Sequence, residues 1–368
     1  MEKPDETSAK STRLMALDAL RGFDMFWIIG GSEIFTGLAK SIGGPFKLLV
    51  PQFEHVRWEG LHFFDLIWPL FMFIVGVSIP LSIEKRRAEG STKQSLYFHA
   101  VRRSIILFIL GMIAQGGLLE WDLSKLRPCY SVLHGIAAGY LIAFIVAIEL
   151  KPKMQGVAMV IFLLACWAIV ILIPVPGVGA GVLTPEGNIA TWFDQLVLGR
   201  FHYGENTWFL SYPGFASSVL LGVMAGHLIN LPVSEIKKVI FLATAGIGCT
   251  ILGLLWGILF PIIKLMWTSS YVLVGGGFGF IMLAIFYWVI EVKRRQKWSF
   301  FFAVIGMNSI VAYMAMMLFN FSQISNIFIG SLLPRLGLWD DFIAATSSFA
   351  VLWLILYRMY RTKTFVKL

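Results

Sequence analysis

The sequence predicts an all-α protein that crosses a membrane about ten times. Three observations support this fold class: the apolar residues fall into runs of roughly 18–25 residues, charged residues make up only 14% of the chain, and basic residues cluster between the runs. A helix needs about 20 apolar residues to cross the hydrocarbon core. Since soluble domains carry about 25% charged residues, the composition excludes a soluble enzyme or regulator.

Ten apolar segments are long enough to be spans. They lie at 14–37, 61–83, 101–119, 131–149, 154–173, 213–230, 236–260, 270–290, 299–319 and 342–360. The stretch between Phe319 and Trp339 is shorter and contains Pro334, which predicts a re-entrant or interfacial segment. No internal repeat is visible, and this disfavours a transporter built from repeated units.

The distribution of Lys and Arg predicts that both termini face the cytoplasm. With this topology, 21 of the 30 basic residues lie in cytoplasmic segments and 8 lie on the opposite side, in agreement with the positive-inside rule. The two longest loops, 38–60 and 174–212, then face outward. We expect one transmembrane domain at 14–360 between cytoplasmic tails at 1–13 and 361–368.

The net charge of +9 would suggest a nucleic-acid partner in a soluble protein. Here the basic residues mark membrane topology, so no nucleic-acid partner is expected and membrane lipids surround the chain. Cys129, Cys166 and Cys249 are far apart, and neither a CxxC motif nor a metal-ligand spacing is present. We therefore predict no metal site.

The first span carries three ionisable residues on one helical face. Asp18, Arg21 and Asp24 are three residues apart, and Asp24 lies near the middle of the membrane. Ionisable groups at that depth are costly and face a cavity or a partner. Two interpretations remain open: a buried Asp–Arg clasp that locks this helix to a neighbour, or a functional site.

A second polar block precedes the next span. His55 lies at the predicted outer interface beside Trp58, and His62 and Asp65 are three residues apart, so they share a face. Imidazole titrates near physiological pH, which suits a general base. The alternative is an interfacial histidine without a chemical role.

These two blocks resemble the heparan-α-glucosaminide N-acetyltransferase family and its bacterial homologues. The first block matches RxxxxDxxRG from Arg13 to Gly22, a pattern also found in other membrane acyltransferases. The second matches HxxWxG followed by DxxxPxFxFxxG, from His55 to Gly76. Further similar segments lie at 127–133, 261–272 and 306–310, where the last reads GMNSI. The resemblance covers about residues 13 to 320.

The resemblance implies a specific activity. Members of the family transfer the acetyl group of cytosolic acetyl-CoA to a terminal glucosamine amine on the far side of the membrane, and the family's active histidine falls on His55. Asp65 or Glu59 would orient that imidazole. Direct transfer and an acetyl-histidine intermediate both remain open. A homodimer and a location in the bacterial inner membrane are also expected from the resemblance.

Candidate binding residues follow from the same assignment. At the cytoplasmic mouth, the acetyl-CoA site is predicted at Arg13, Asp18, Arg21, Arg102 and Arg103, although Arg102 and Arg103 also fit ordinary positive-inside anchoring. The acceptor and the thioester carbonyl are expected to contact Glu33, Trp58, Lys264, Trp267, Asn308 and Ser309.

Two departures from the family pattern concern the acceptor. Ser32, followed by Glu33, replaces a usual asparagine, and Ser211–Gly214 replaces an Asp-Pro-Glu-Gly segment. Both changes lie on the predicted outer side, where an amino sugar or glycosaminoglycan-derived oligosaccharide would bind as acceptor. O-acetylation of a periplasmic glycan, or amino-sugar transport without chemistry, are the alternative functions.

Overall fold

The computed structural model describes residues 14–366, and all regular secondary structure in this range is helical. The helices are α1 (Met15–Phe26), α2 (Ser32–Ile42), α3 (Ile67–Ala88), α4 (Lys93–Ala114), α5 (Val132–Glu149), α6 (Pro152–Leu172), α7 (Ile189–Leu198), α8 (Tyr212–Ile229), α9 (Glu235–Gly257), α10 (Ser269–Tyr287), α11 (Phe300–Gly306), α12 (Ser309–Leu318), α13 (Phe321–Ile329) and α14 (Asp340–Arg361). The all-α prediction is confirmed.

Eight of the described helices are long and apolar enough to cross a membrane: α3, α4, α5, α6, α8, α9, α10 and α14. A ninth span arises if the bent pair Lys297–Gly306 and Ser309–Leu318, which meet at 61°, crosses as one unit. The chain is therefore a multi-pass membrane protein. On which side its two ends lie stays a prediction, and the tail at 1–13 and the last two residues lie outside the described range.

The exact number of spans stays a prediction, because the first predicted span, 14–37, is not among the described helices that are long and apolar enough. Its backbone is helical from Met15 to Ile42, but a π-helical turn at Trp27–Gly31 contains Gly30 in a non-helical conformation with φ 141°. Its ionisable residues, among them Asp18 and Asp24, lower its mean hydropathy further. It forms a kinked helix inside the bundle rather than a uniformly apolar span.

The centre of the bundle is formed by α3, α8 and α10, whose side chains are mostly enclosed by protein. The apolar side chains of α6, α9 and α14 are turned outward for the most part, as expected of helices that face lipid. Because α3 runs through this centre, the residues before its first turn and those in its last turn lie at opposite ends of the molecule.

Helix α1 is held against α11 by a pair of glycines. A methyl group on Gly22 would overlap the carbonyl oxygen of Phe302, and one on Gly306 would overlap that of Asp18. Small residues at a crossing let two backbones approach closely. The close approach increases the van der Waals packing that favours helix association in lipid. This contact fixes the polar face of α1 relative to the bend between α11 and α12.

The glycine pair generates a stability prediction. We expect Gly22→Ala to lower the free energy of unfolding by about 1–3 kcal/mol, because the added methyl forces α1 away from α11. Thermal unfolding in detergent measures the change. Gly248→Ala in α9 is the matched control, since a methyl there meets open space and only favours the helix. Equal melting temperatures for the two variants would contradict this packing.

Candidate functional site

Two loops at one end of the bundle are joined by backbone contacts. The segment that leads into α3 and the segment between α9 and α10 form a short antiparallel bridge between Glu59 and Ile263. The amide of Gly60 donates to the carbonyl of Ile262 at 2.9 Å. This pairing brings Lys264 to His55 and Asp65, although 199 residues separate Lys264 from Asp65. We call these three side chains the His55 cluster.

Asp65 is the centre of the His55 cluster. It lies in the 3-10 turn Phe63–Leu66 that precedes α3, and its side chain is 1% exposed. One carboxylate oxygen, Oδ2, accepts from the backbone amides of Val56 (3.2 Å) and His62 (3.1 Å). The other, Oδ1, contacts His55 Nδ1 at 2.8 Å and Lys264 Nζ at 3.1 Å. Four donors thus compensate the burial of this charge.

The contact with Asp65 favours one tautomer of His55. An ionised carboxylate only accepts hydrogen bonds, so the tautomer that donates to Asp65 carries its proton on Nδ1, and in that tautomer Nε2 is the basic nitrogen. The side chain is 53% exposed, and its ring stacks on Phe64 with the centroids 4.8 Å apart. An imidazole held at Nδ1, with Nε2 as its basic nitrogen, is the arrangement that a general base requires.

Lys264 lies close to the same imidazole. Its ammonium nitrogen is 2.7 Å from His55 Nδ1 and 3.3 Å from Nε2, and its side chain is 12% exposed. Burial lowers the pKa of Lys264 from its ordinary value, and the charge of Asp65 opposes this shift. When protonated, Lys264 supplies a positive charge beside the reactive edge of His55.

The neighbouring loop is anchored by two buried aromatic side chains. Tyr271 donates its hydroxyl to the backbone carbonyl of Asp65 at 2.6 Å. Trp267, 1% exposed, donates its indole N–H to Ser218 and packs on the rings of Trp68 and Phe215. Trp267 therefore supports the loop that carries Lys264, whereas sequence reasoning placed it in contact with the acceptor. The sequence analysis gave no role to Tyr271 or Phe64. The only signal for Tyr271 was its position close to Lys264 in the chain.

The remaining predicted acceptor residues are dispersed. Trp58 lies in the paired loop and donates its indole N–H to the carbonyl of Leu183 at 2.8 Å. Glu33 is exposed on α2. Asn308 lies at the bend between α11 and α12, where its amide binds backbone groups of Thr364 and Val366 at 3.1 Å. The structure therefore does not bring Asn308 to the His55 cluster, and Ser309 lines a separate small apolar pocket.

The opposite end of α3 opens into a cavity of about 860 Å³, which we call the Lys85 cavity. Four basic and four acidic side chains line it: Lys85, Arg86, Lys238, Arg294, Asp18, Glu89, Glu235 and Glu291. Asp65 and Lys85 are twenty residues apart on this helix, which corresponds to roughly 30 Å. The His55 cluster and the Lys85 cavity are thus separated by about the thickness of a hydrocarbon core.

The predicted donor-site residues are divided between this cavity and its surroundings. Asp18 lines the cavity, and Arg21 donates to Asp18 Oδ1 at 3.3 Å and to Ser78 Oγ at 3.1 Å. Arg102 is exposed on α4, and Arg103 stacks on the ring of Tyr140 at 4.5 Å. Neither lines the cavity, so their binding of phosphate stays a prediction. Arg13 lies outside the described residues.

No group of three or more His, Cys, Asp or Glu side chains between residues 14 and 366 is arranged to hold a metal ion. The chemistry that these residues offer is that of an oriented base, a neighbouring ammonium and, at the other end, a polar cavity large enough for part of a nucleotide-sized ligand.

Two curated proteins are similar to this chain over most of its length. The heparan-alpha-glucosaminide N-acetyltransferase of Homo sapiens is 27% identical over 368 residues, which cover 83% of this chain and 53% of the human protein. The Mus musculus protein of the same name is 27% identical over 373 residues, which cover 84% of this chain and 54% of the mouse protein. This chain spans about half the length of the curated relatives it matches. No family model matches it. The similarity supports the resemblance that the motifs around Arg21 and His55 indicate.

Proposed function

We propose that this chain is a membrane-embedded acetyltransferase of the heparan-α-glucosaminide N-acetyltransferase family, with acetyl-CoA as donor and an amino sugar as acceptor. The observation that carries the proposal is the His55 cluster, an oriented imidazole beside a buried lysine and a buried carboxylate. The similarity to two acetyltransferases of that family supports the acetyl chemistry. The size of the Lys85 cavity supports a large donor.

The His55 cluster carries the acceptor chemistry. His55 Nε2 takes a proton from the acceptor ammonium, and the freed amine attacks the thioester carbonyl carbon. The carbon–sulfur bond then breaks, the amide forms, and the thiolate leaves as the thiol after taking up the second proton of the ammonium nitrogen. Asp65 holds the imidazole in the required tautomer and stabilises its protonated form.

Lys264 stabilises the negative charge that develops on the carbonyl oxygen. Its ammonium lies beside the imidazole in a largely buried position, where an electrostatic interaction is stronger than in water. Trp58, in the loop paired with the Lys264 segment, and exposed Glu33 on α2 are the proposed contacts for the sugar and its amine.

The Lys85 cavity receives the nucleotide end of the donor, and its basic side chains hold the phosphates. Placing this cavity at the cytoplasm agrees with the predicted topology. Arg21 lies deeper, beside Ser78, which is thirteen residues or roughly 20 Å from Asp65 along α3. The pantetheine arm has to cover that remaining distance for the thioester to meet His55.

The proposed function predicts acceptor-dependent release of CoA. Purified protein in detergent, supplied with acetyl-CoA and glucosamine, should release thiol only when the sugar is present. We expect His55→Ala to lower kcat by about 10²-fold or more, because the base is lost. His227→Ala is the control histidine variant, since His227 binds Gln155 away from the cluster and should keep the rate.

The same assay separates the other functions. N-acetylglucosamine, whose amine is blocked, should not accept; release of CoA with this sugar would indicate O-acetylation instead. Sugar uptake into vesicles without any CoA release, or full activity of His55→Ala, would overturn the proposal.

The lowered pKa of Lys264 predicts the alkaline limb of activity. A lysine whose pKa is lowered loses its proton at a lower pH. The decline of activity on the alkaline side should therefore begin at a pH below the ordinary lysine pKa of about 10.4. Arginine stays protonated, and Lys264→Arg should therefore shift this limb to higher pH even if the maximal rate is reduced. The profile of kcat between neutral and strongly alkaline pH measures the shift. An unchanged alkaline limb in Lys264→Arg would exclude this role for Lys264.

A further inference from the structure

Asp24 is a buried carboxyl group without a hydrogen-bonding partner. It lies in the last turn of α1 and is 0% exposed, so it faces neither lipid nor water. Neither of its side-chain oxygens has a hydrogen-bond partner within residues 14–366. A buried polar group in this condition costs folding free energy, and such groups inside a membrane protein generally face a ligand, a partner or a cavity.

The clasp that the sequence suggests does not account for Asp24. Arg21, one turn away on the same face, directs its guanidinium to Asp18 and to Ser78 of α3. Asp18 and Arg21 are therefore hydrogen-bonded to each other, whereas Asp24 has no hydrogen-bond partner among the described residues.

Along α1, Asp24 lies between residues that line two different cavities. Leu17 and Asp18, less than two turns before it, line the Lys85 cavity. Met25 and Ile28, just after it, line the small apolar pocket together with Ser309 and Tyr313. Asp24 is about 4.5 Å deeper along the helix axis than Arg21, in the direction of the His55 cluster. Asp24 itself lines neither cavity, but along α1 it lies between the residues that line them, on the axial stretch between the Lys85 cavity and the His55 cluster.

We propose that Asp24 accepts a hydrogen bond from a secondary amide N–H of the acyl donor's arm and thereby positions the thioester. This inference rests on the proposed function. The pantetheine arm of CoA carries two amide N–H groups along an otherwise flexible and mostly apolar chain, so each needs an acceptor when it enters a dry bundle. Asp24 is a positioning residue, because it acts on the arm and not on the reacting atoms.

The proposal predicts two effects of opposite sign for Asp24→Leu. The ligand-free protein should unfold at an equal or higher temperature, because an unpartnered buried polar group is replaced by an apolar one. Its affinity for CoA should fall by about 3- to 10-fold, the usual effect of losing one hydrogen bond to an uncharged acceptor. Asp24→Asn, which keeps an acceptor oxygen, should lose less.

Two controls isolate the arm. Adenosine 3′,5′-bisphosphate, which has the nucleotide part without the arm, should bind wild type and Asp24→Leu equally. Asp340→Leu removes an exposed carboxylate at the start of α14 and should leave the affinity for CoA unchanged. Binding is measured by titration calorimetry and by the CoA-induced shift in melting temperature, and neither readout requires turnover.

The outcomes distinguish the role of Asp24 from the proposed acetyltransferase function. If the wild-type protein transfers acetyl groups and Asp24→Leu binds CoA as tightly as wild type, the role of Asp24 is wrong and the proposed function stands. A marked drop in the melting temperature of ligand-free Asp24→Leu, or an equal loss of affinity for the nucleotide without the arm, would show a structural role instead. If wild type neither binds CoA nor transfers acetyl groups, both proposals fail.

Discussion

The buried carboxylate of Asp65 is the interaction on which the geometry of the proposed active site depends. It accepts hydrogen bonds from amides of the loop before α3, contacts Nδ1 of His55 and binds the side chain of Lys264, which comes from a distant part of the chain. Because this carboxylate stands at the entrance to α3, a central helix of the bundle, the imidazole is oriented by a rigid element and not by a mobile loop. The same helix carries Lys85 at its other end.

This arrangement explains why the polar residues of the bundle are distributed unevenly. Helix α9, whose apolar side chains are turned outward, carries charged residues only in its first turn, whereas α1 carries Asp18, Arg21 and Asp24 on one face between the two ends of the molecule. These residues lower the apolarity of α1 and are tolerated because they face the protein interior. The lining residues of the Lys85 cavity include none of the His55 cluster, so in the proposed function the donor arm has to cross the interior between them.

The sequence was sufficient to predict the helical fold and most of the spans, because hydropathy is a local property. It left Asp65 and Glu59 as alternatives for orienting His55, and in the structure Asp65 contacts the ring. The contact of Lys264 with His55 and Asp65 depends on the bridge between Glu59 and Ile263, which no local pattern reveals. Asn308 was expected near the acceptor, but its amide is occupied by the backbone of the C-terminal segment, a long-range contact invisible in a motif. The sequence indicates the length of the first predicted span but gives no sign of its kink at Gly30, so the exact number of spans stays a prediction.

The central claim is that donor and acceptor act from opposite ends of one bundle, and vesicles with separated compartments test it most directly. Protein is reconstituted into sealed liposomes that contain acetyl-CoA, and a membrane-impermeant amino-sugar oligosaccharide is supplied only outside. The account predicts N-acetylated sugar in the external compartment while CoA remains inside, carried out by the molecules whose Lys85 cavity faces the lumen. Product that forms only when acetyl-CoA and the sugar share one compartment would contradict it.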